Sequence, residues 1–172
     1  MGDVGVAMSD PPTPRSLSDD ELSDLLSGQR FGTLATVKRS GHPHMSTMVY
    51  TWDPEARLVR FSTTGDRLKV RHIQADPRAS LHVLGGDVWT FAVAEGDAEL
   101  SETTRAPGDA VGRELLAMVP EEERPEGEQA FLERLVAERR LVIRLPAARL
   151  YGTALDIGAP VLQPPQPPRA LR

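Results

Sequence analysis

The chain contains no cysteine. That single absence removes thiolate nucleophiles, disulfides, iron–sulfur clusters and thiolate metal sites. It also removes the usual mark of a small secreted scaffold. Lysine is nearly absent too: Lys38 and Lys69 are the only two, and 20 basic residues against 25 acidic ones leave a formal net charge of −5. A general nucleic-acid-binding surface needs the opposite balance, so no nucleic acid partner is expected and anion recognition must be local. No apolar run is long enough to cross a bilayer, so no membrane partner is expected. Residues 1–14 lack the basic start and apolar core of a secretory signal, and cytoplasm is the expected compartment. Gly-x-Gly-x-x-Gly and P-loop patterns are missing, which leaves a Rossmann or nucleotide-triphosphatase reading without support. No serine sits in a nucleophile-elbow context.

What is present fits one domain. The chain has 172 residues and 40% apolar content, enough for a core. The folded unit is expected over residues 17–157. Residues 1–16, with Pro11, Pro12 and Pro14, and residues 158–172, with Pro164, Pro165, Pro167 and Pro168, are expected to be disordered tails. Abundant Ala, Arg, Gly and Pro point to a GC-rich bacterial genome.

Ser18 and Glu21 form a capping box, and Leu22, Leu25 and Leu26 give the apolar stripe of a first helix ending at Gly28. Strands are predicted over 31–38, 45–52, 57–63, 79–84, 88–96 and 98–100, separated by turns at 39–41, 53–55 and 85–87. A short helix is predicted over 67–75. Two later helical stripes contain Val111, Leu115 and Met118, then Phe131, Leu132 and Leu135. A last strand covers 140–145. Short strands with helices to one side predict a mostly β protein with flanking helices, built as an antiparallel barrel.

The candidate site residues fall in four runs. Strand hydroxyls at Thr33, Thr36, Ser46, Thr47, Ser62, Thr63 and Thr64 lead into a basic cluster, Arg67, Lys69 and Arg71, at the mouth of a helix. That order suits a phosphate-bearing ligand whose polar ring lies across a sheet. The plainer alternative for the cations is a solvated helix face. They meet one anion only if Arg67 lies in the entry loop and Lys69 in the first helical turn. His42 and His44 share one side of a strand start, either as half a metal site or as a hairpin turn and a polar strand residue. The latter is preferred because no third ligand is near in sequence. Trp89 and Phe91 are expected on one strand face, in the core or walling an aromatic-ligand cleft.

In combination these motifs resemble a known family. Gly32-Thr33-Leu34-Ala35-Thr36, Gly41-x-Pro43-His44-x-Ser46, Arg67-x-Lys69-x-Arg71, Asp76-Pro77-Arg78-Ala79-Ser80-Leu81 and Val93-Ala94-Glu95-Gly96 are similar to the pyridoxamine 5'-phosphate oxidase-like superfamily. The similarity is greatest to its actinobacterial F420-dependent flavin/deazaflavin oxidoreductases. The resemblance implies an FMN-binding type of split β-barrel, a homodimer, and two cofactor sites at the dimer interface. It implies that Ser46, Thr47, Met48, Val49, Ser62, Thr63 and Thr64 hold the ring and that Arg67 and Lys69 hold the phosphate. Pro43 and His44 would lie beside the cofactor and Trp89 near its open face. The expected cofactor is coenzyme F420, with FMN as the alternative, and the expected activity is hydride transfer to an unsaturated small-molecule substrate. No catalytic side chain is assigned, since the cofactor carries the chemistry. A non-enzymatic flavin- or deazaflavin-binding protein is the third reading. The proline-rich C-terminus lacks the Trp and Arg segment of true pyridoxamine-phosphate oxidases, which argues against vitamin B6 oxidation.

Overall fold

The computed structural model describes residues 13–124 and 126–155. Residues 1–12 and 156–172, which hold most of the expected tails, lie outside the described residues. The chain begins with strand β1 (Arg15–Ser16), helix α1 (Asp19–Gly28), β2 (Phe31–Val37), β3 (Pro43–Val49), β4 (Thr51–Asp53) and β5 (Leu58–Thr64). Helix α2 (Leu68–Ala75), β6 (Arg78–Leu84), β7 (Phe91–Asp97) and β8 (Glu99–Leu100) follow. Helix α3 (Ala110–Ala117), a 3-10 turn (Glu121–Glu123), α4 (Gly127–Ala137), β9 (Arg140–Pro146) and β10 (Arg149–Ala154) complete it.

The described residues are mostly β with four flanking α-helices, and every strand pairing among them is antiparallel. The strands form two sheets rather than one closed barrel. One runs in the order β1-β10-β7-β6-β2-β3, the other β4-β5-β9-β8. They approach most closely where β7 meets the end of β9. A Cβ on Gly96 would lie 2.1 Å from the Pro146 carbonyl oxygen, so only glycine fits there.

Between the sheets lies the main core. Leu34, Leu81, Val83, Ala92 and Ala94 come from the larger sheet, Val59, Phe61, Ile143 and Leu145 from the smaller, and Leu22 and Leu26 from α1. Each fully buried large side chain contributes roughly 1.5–3 kcal/mol of transfer free energy. α3 and α4 pack Leu115, Phe131, Leu132 and Leu135 onto Val142 of β9 as a second cluster.

The α1 capping box is present as expected. Ser18 Oγ accepts from the Glu21 amide at 3.3 Å, and the Glu21 carboxylate accepts from the Ser18 amide at 2.8 Å. The run expected as one strand over 45–52 is divided by Tyr50. Its buried ring turns inward and its hydroxyl donates to the Leu26 carbonyl at 2.7 Å, so the pairing changes sheet there. Two strands were not expected: β1, which pairs Arg15 and Ser16 with Ala154 and Thr153, and β10.

Candidate functional site

The β2–β3 hairpin positions the first group of residues. Along β3 exposure alternates: Pro43, Met45, Thr47 and Val49 face outward, while His44, Ser46 and Met48 are half-buried. Two inward polar atoms, His44 Nδ1 and Ser46 Oγ, are buried and have no hydrogen-bond partner among the described residues. A buried polar atom left unpaired costs about 1–3 kcal/mol, so two of them two residues apart on one strand are candidates to receive a polar partner. The antiparallel register sets Thr36 opposite His44. Thr36 Oγ1 lies 3.2 Å from His72 Nδ1, and the His72 ring meets the His44 ring edge-on at 5.0 Å. β2, β3 and α2 thus each contribute one polar group to this corner.

On β5 the three expected hydroxyl residues divide between faces. Ser62 and Thr64 are half-buried on one side, and Thr63 is buried on the other with Phe61 and Val59. The Thr63 side chain therefore belongs to the core face, because side chains alternate along a strand. Ser62 Oγ accepts from Arg140 Nη1 at 3.1 Å. The Thr64 hydroxyl donates to the Asp66 carboxylate and holds that acid below its usual range.

At the start of α2, Arg67 stands in the entry loop and Lys69 in the first helical turn. Arg67 is the N-cap, in extended conformation with φ −70° and ψ 145°, and no side chain caps the helix. Lys69 is its second helical residue and is half-buried. Burial, then the neighbouring Arg67 guanidinium, pushes the Lys69 ammonium below its ordinary range. Among the described residues neither cation forms an ion pair. Two neighbouring cations at a helix start without a side-chain cap are chemically able to receive an anion.

Two cavities meet some of these residues, while His44, Ser46 and Lys69 line neither. One of about 460 Å³ is lined by Thr47, Met48, Val49 and Ser62 with Leu115 and Phe131 of the helix pair. A second, of about 910 Å³, is lined by Thr64, Gly65 and Arg67 with Arg139 and Arg140. Arg140 joins them, since it lines both and bonds Ser62. The strand reading of Trp89 is corrected. The Asp87 carboxylate accepts from the Trp89 and Thr90 amides at 2.8 and 2.7 Å, and Gly85 closes the turn on Thr90. β7 therefore begins only at Phe91, and Trp89 stands on an exposed turn, 48% accessible, lining neither cavity. The sequence reading named Thr36 but passed over His72 and Arg140. The hairpin across residues 38–41 was the available signal for the Thr36–His44 pairing. No group of three or more metal-ligating side chains lies together among the described residues.

Comparison with known proteins places this architecture. The family model described as pyridoxamine 5'-phosphate oxidase matches residues 18–143, well over half of the chain. This chain belongs to the pyridoxamine 5'-phosphate oxidase family. Within that family setting, it is 29% identical over 142 residues to an F420H(2)-dependent biliverdin reductase of Mycobacterium tuberculosis, covering 83% of this chain and 92% of that protein. It is also similar to a solved F420 reductase at 25% identity and a TM-score of 0.54, covering 74% of this chain and 94% of the other. A pyridoxamine 5'-phosphate oxidase-related, FMN-binding protein of Nostoc punctiforme shares the fold at 17% identity and a TM-score of 0.54, over 76% of this chain and 78% of that one. These relationships support an oxidoreductase family and a flavin or deazaflavin as its cofactor class.

Proposed function

We propose that this chain is a coenzyme F420-dependent reductase that exchanges a hydride with an unsaturated small molecule, working as a homodimer. The observation that carries the reading is two kinds of group left unpaired among the described residues: His44 Nδ1 and Ser46 Oγ, buried without a hydrogen-bond partner, and Arg67 and Lys69, neighbouring cations without an ion pair. A ligand with a polar ring system and a phosphate satisfies both. The deazaflavin, when bound, supplies the hydride chemistry.

The residues have distinct tasks. Ser46 and His44 would hydrogen-bond the ring edge and fix its orientation, which is where a positioned site gains most over solution. Met48 would give the ring an apolar contact. Arg67 and Lys69 would hold the phosphate with charge-assisted bonds. The Ser62 hydroxyl, fixed by Arg140, would present a defined acceptor or donor rather than a rotating group. The backbone of β5 at Thr63 remains available although its side chain is in the core. Trp89 lies outside the strands of its own cradle, and the dimer is where it would close the open face of the ring. The F420 preference is supported by the 29% and 25% identities to F420 enzymes, against 17% to the FMN-binding neighbour. That neighbour favours FMN as the second reading.

Titration of purified protein with F420 and with FMN, followed by cofactor fluorescence, tests the reading. The expected result is saturable F420 binding with FMN weaker by at least an order of magnitude. Arg67→Ala and Lys69→Ala should each weaken F420 about ten- to a hundredfold, the loss of one charge-assisted phosphate bond. Tighter binding of FMN would transfer the assignment to the second reading. Unchanged F420 affinity in both variants would reject the cradle. Oxidation of reduced F420 by an added unsaturated acceptor would separate an enzyme from a carrier.

A further inference from the structure

Arg71 completes the basic cluster in sequence but does not line the cleft that Arg67 lines. It opens onto a separate cleft of about 780 Å³ between the β2–β3 turn and α2. Lys38, Arg39 and Ser40 approach from the turn, and Arg71, His72 and Gln74 from the helix. No carboxylate lines this cleft. None of Lys38, Arg39 and Arg71 forms an ion pair among the described residues, in a chain whose formal net charge is −5. Asp66 feels Arg71 electrostatically, yet it lines the neighbouring cleft and its carboxylate already accepts from Thr64.

The lysine is notable for its scarcity. The chain uses only two, one at the start of α2 and one here. The cleft is also held in shape. The turn is closed by the Lys38 amide on the His42 carbonyl and the Gly41 amide on the Lys38 carbonyl, with Gly41 at φ +81°. On the opposite wall, His72 is tied to Thr36 of β2. Three cations held around one concavity repel each other, and a bound dianion would offset that repulsion by its attraction to all three.

We propose that this cleft is a second anion subsite, separate from the cradle at the start of α2, and that it takes a phosphate monoester or a comparable dianion through Lys38, Arg71 and the turn around Ser40. Two sources share this chemistry: the far anionic end of a long ligand seated in the cradle, or an independent small phosphate ester. The inference does not depend on the cofactor assignment, because the cleft and its charges stand without it.

His72 provides the readout. Its imidazole is held below the ordinary histidine range, first by burial, then by His44 of β3, Lys38 of the turn and Arg71 of its own helix. A bound dianion favours the imidazolium, so it should move that titration upward. The experiment follows the histidine ring protons of the ligand-free protein by NMR during titration with inorganic phosphate, with His72→Gln assigning the signal. The expected result is a saturable shift at His72 and an upward move of its pKa. Lys38→Ala combined with Arg71→Ala should weaken that response at least about tenfold, while Arg67→Ala combined with Lys69→Ala leaves it in place. These four side chains lie outside the buried core, so both double variants should fold, and circular dichroism checks this. Repeating the titration with F420 already bound separates the sources. Competition identifies the far end of the same ligand, and independent binding identifies a separate phosphate ester. A His72 signal that phosphate does not move, or one abolished only by the Arg67 and Lys69 substitutions, would overturn the proposal.

Discussion

Ser46 shows how a single side chain can be read two ways. Its hydroxyl is buried with no hydrogen-bond partner among the described residues, so without a ligand it is a cost rather than a support. A residue retained for stability alone would be better as alanine at this position. Ser46→Ala should therefore leave the ligand-free melting transition unchanged or raise stability by up to about 1–2 kcal/mol. The same substitution should weaken F420 binding about two- to tenfold, the loss of one neutral hydrogen bond. Calorimetry of the free protein and a fluorescence titration measure the two effects. A loss of stability with affinity intact would make Ser46 a structural residue and remove it from the cradle. At this scale the sequence was informative about type and less so about direction. Ser62, Thr63 and Thr64 look equivalent as a hydroxyl run, but strand alternation sends Thr63 into the core and leaves the other two on the opposite face.

Elements were legible where their signals were local. The α1 capping box and the α2 entry loop follow from neighbours three or four residues apart, and both stand where the sequence puts them. β10 was not legible, because its alternation is short and its identity as a strand comes from pairing with β7, more than fifty residues earlier. Trp89 was misread for a related reason. Its apolar neighbours resemble a strand, but the Asp87 carboxylate captures two amides that a strand would have offered to its partner. Asp109 is a second such carboxylate, and it anchors α3. Its Oδ1 accepts from the Gly112 amide at 2.7 Å and the Thr104 hydroxyl at 2.9 Å, and its Oδ2 from the Arg105 amide at 2.8 Å. Burial alone would raise its pKa, yet these hydrogen bonds bring it down to about 2. The folded value is depressed, so the contribution is fully present above about pH 4 and is lost as pH falls toward 2. Asp109→Ala should cost about 1–2 kcal/mol at pH 7, as for other N-cap losses. The gap between variant and parent should shrink between pH 4 and pH 2. Urea unfolding at the three pH values checks it, and a gap that does not depend on pH would mean that the charged form is not what caps the helix.

At the scale of the whole molecule, much of one face of the larger sheet is open among the described residues, although Val93 on it is buried. The registers place Phe31, Thr33 and Ala35 beside Val49, Thr47 and Met45, and His82 beside Val93 and then Tyr151. All of these share a face, and several are large, apolar and open to solvent: Phe31 is 59% exposed, Met45 64%, Val49 45%, Leu84 47% and Tyr151 38%. Large exposed apolar side chains gathered on one sheet face are the kind of surface that marks an interaction site. β3, which carries the Ser46 and His44 side of the proposed cradle, forms the edge of that sheet and pairs only with β2. A second copy seated on this face would cover the patch and bring another chain beside the cradle. The sequence supplies the apolar residues but not their alignment, which depends on pairings between distant strands. The expected state in solution is a dimer burying roughly 800 Å² per partner. Met45→Glu changes a side chain that is already mostly in water, so it should move the stability of a separate protomer by no more than about 0.5 kcal/mol. In the dimer the same carboxylate would be buried without a partner and should drive dissociation. Light scattering at micromolar concentration distinguishes the two states. A dimeric parent and a monomeric Met45→Glu variant with reduced F420 affinity would tie the assembly to the site. A monomeric parent that still binds F420 at full affinity would show that one chain builds the cradle alone.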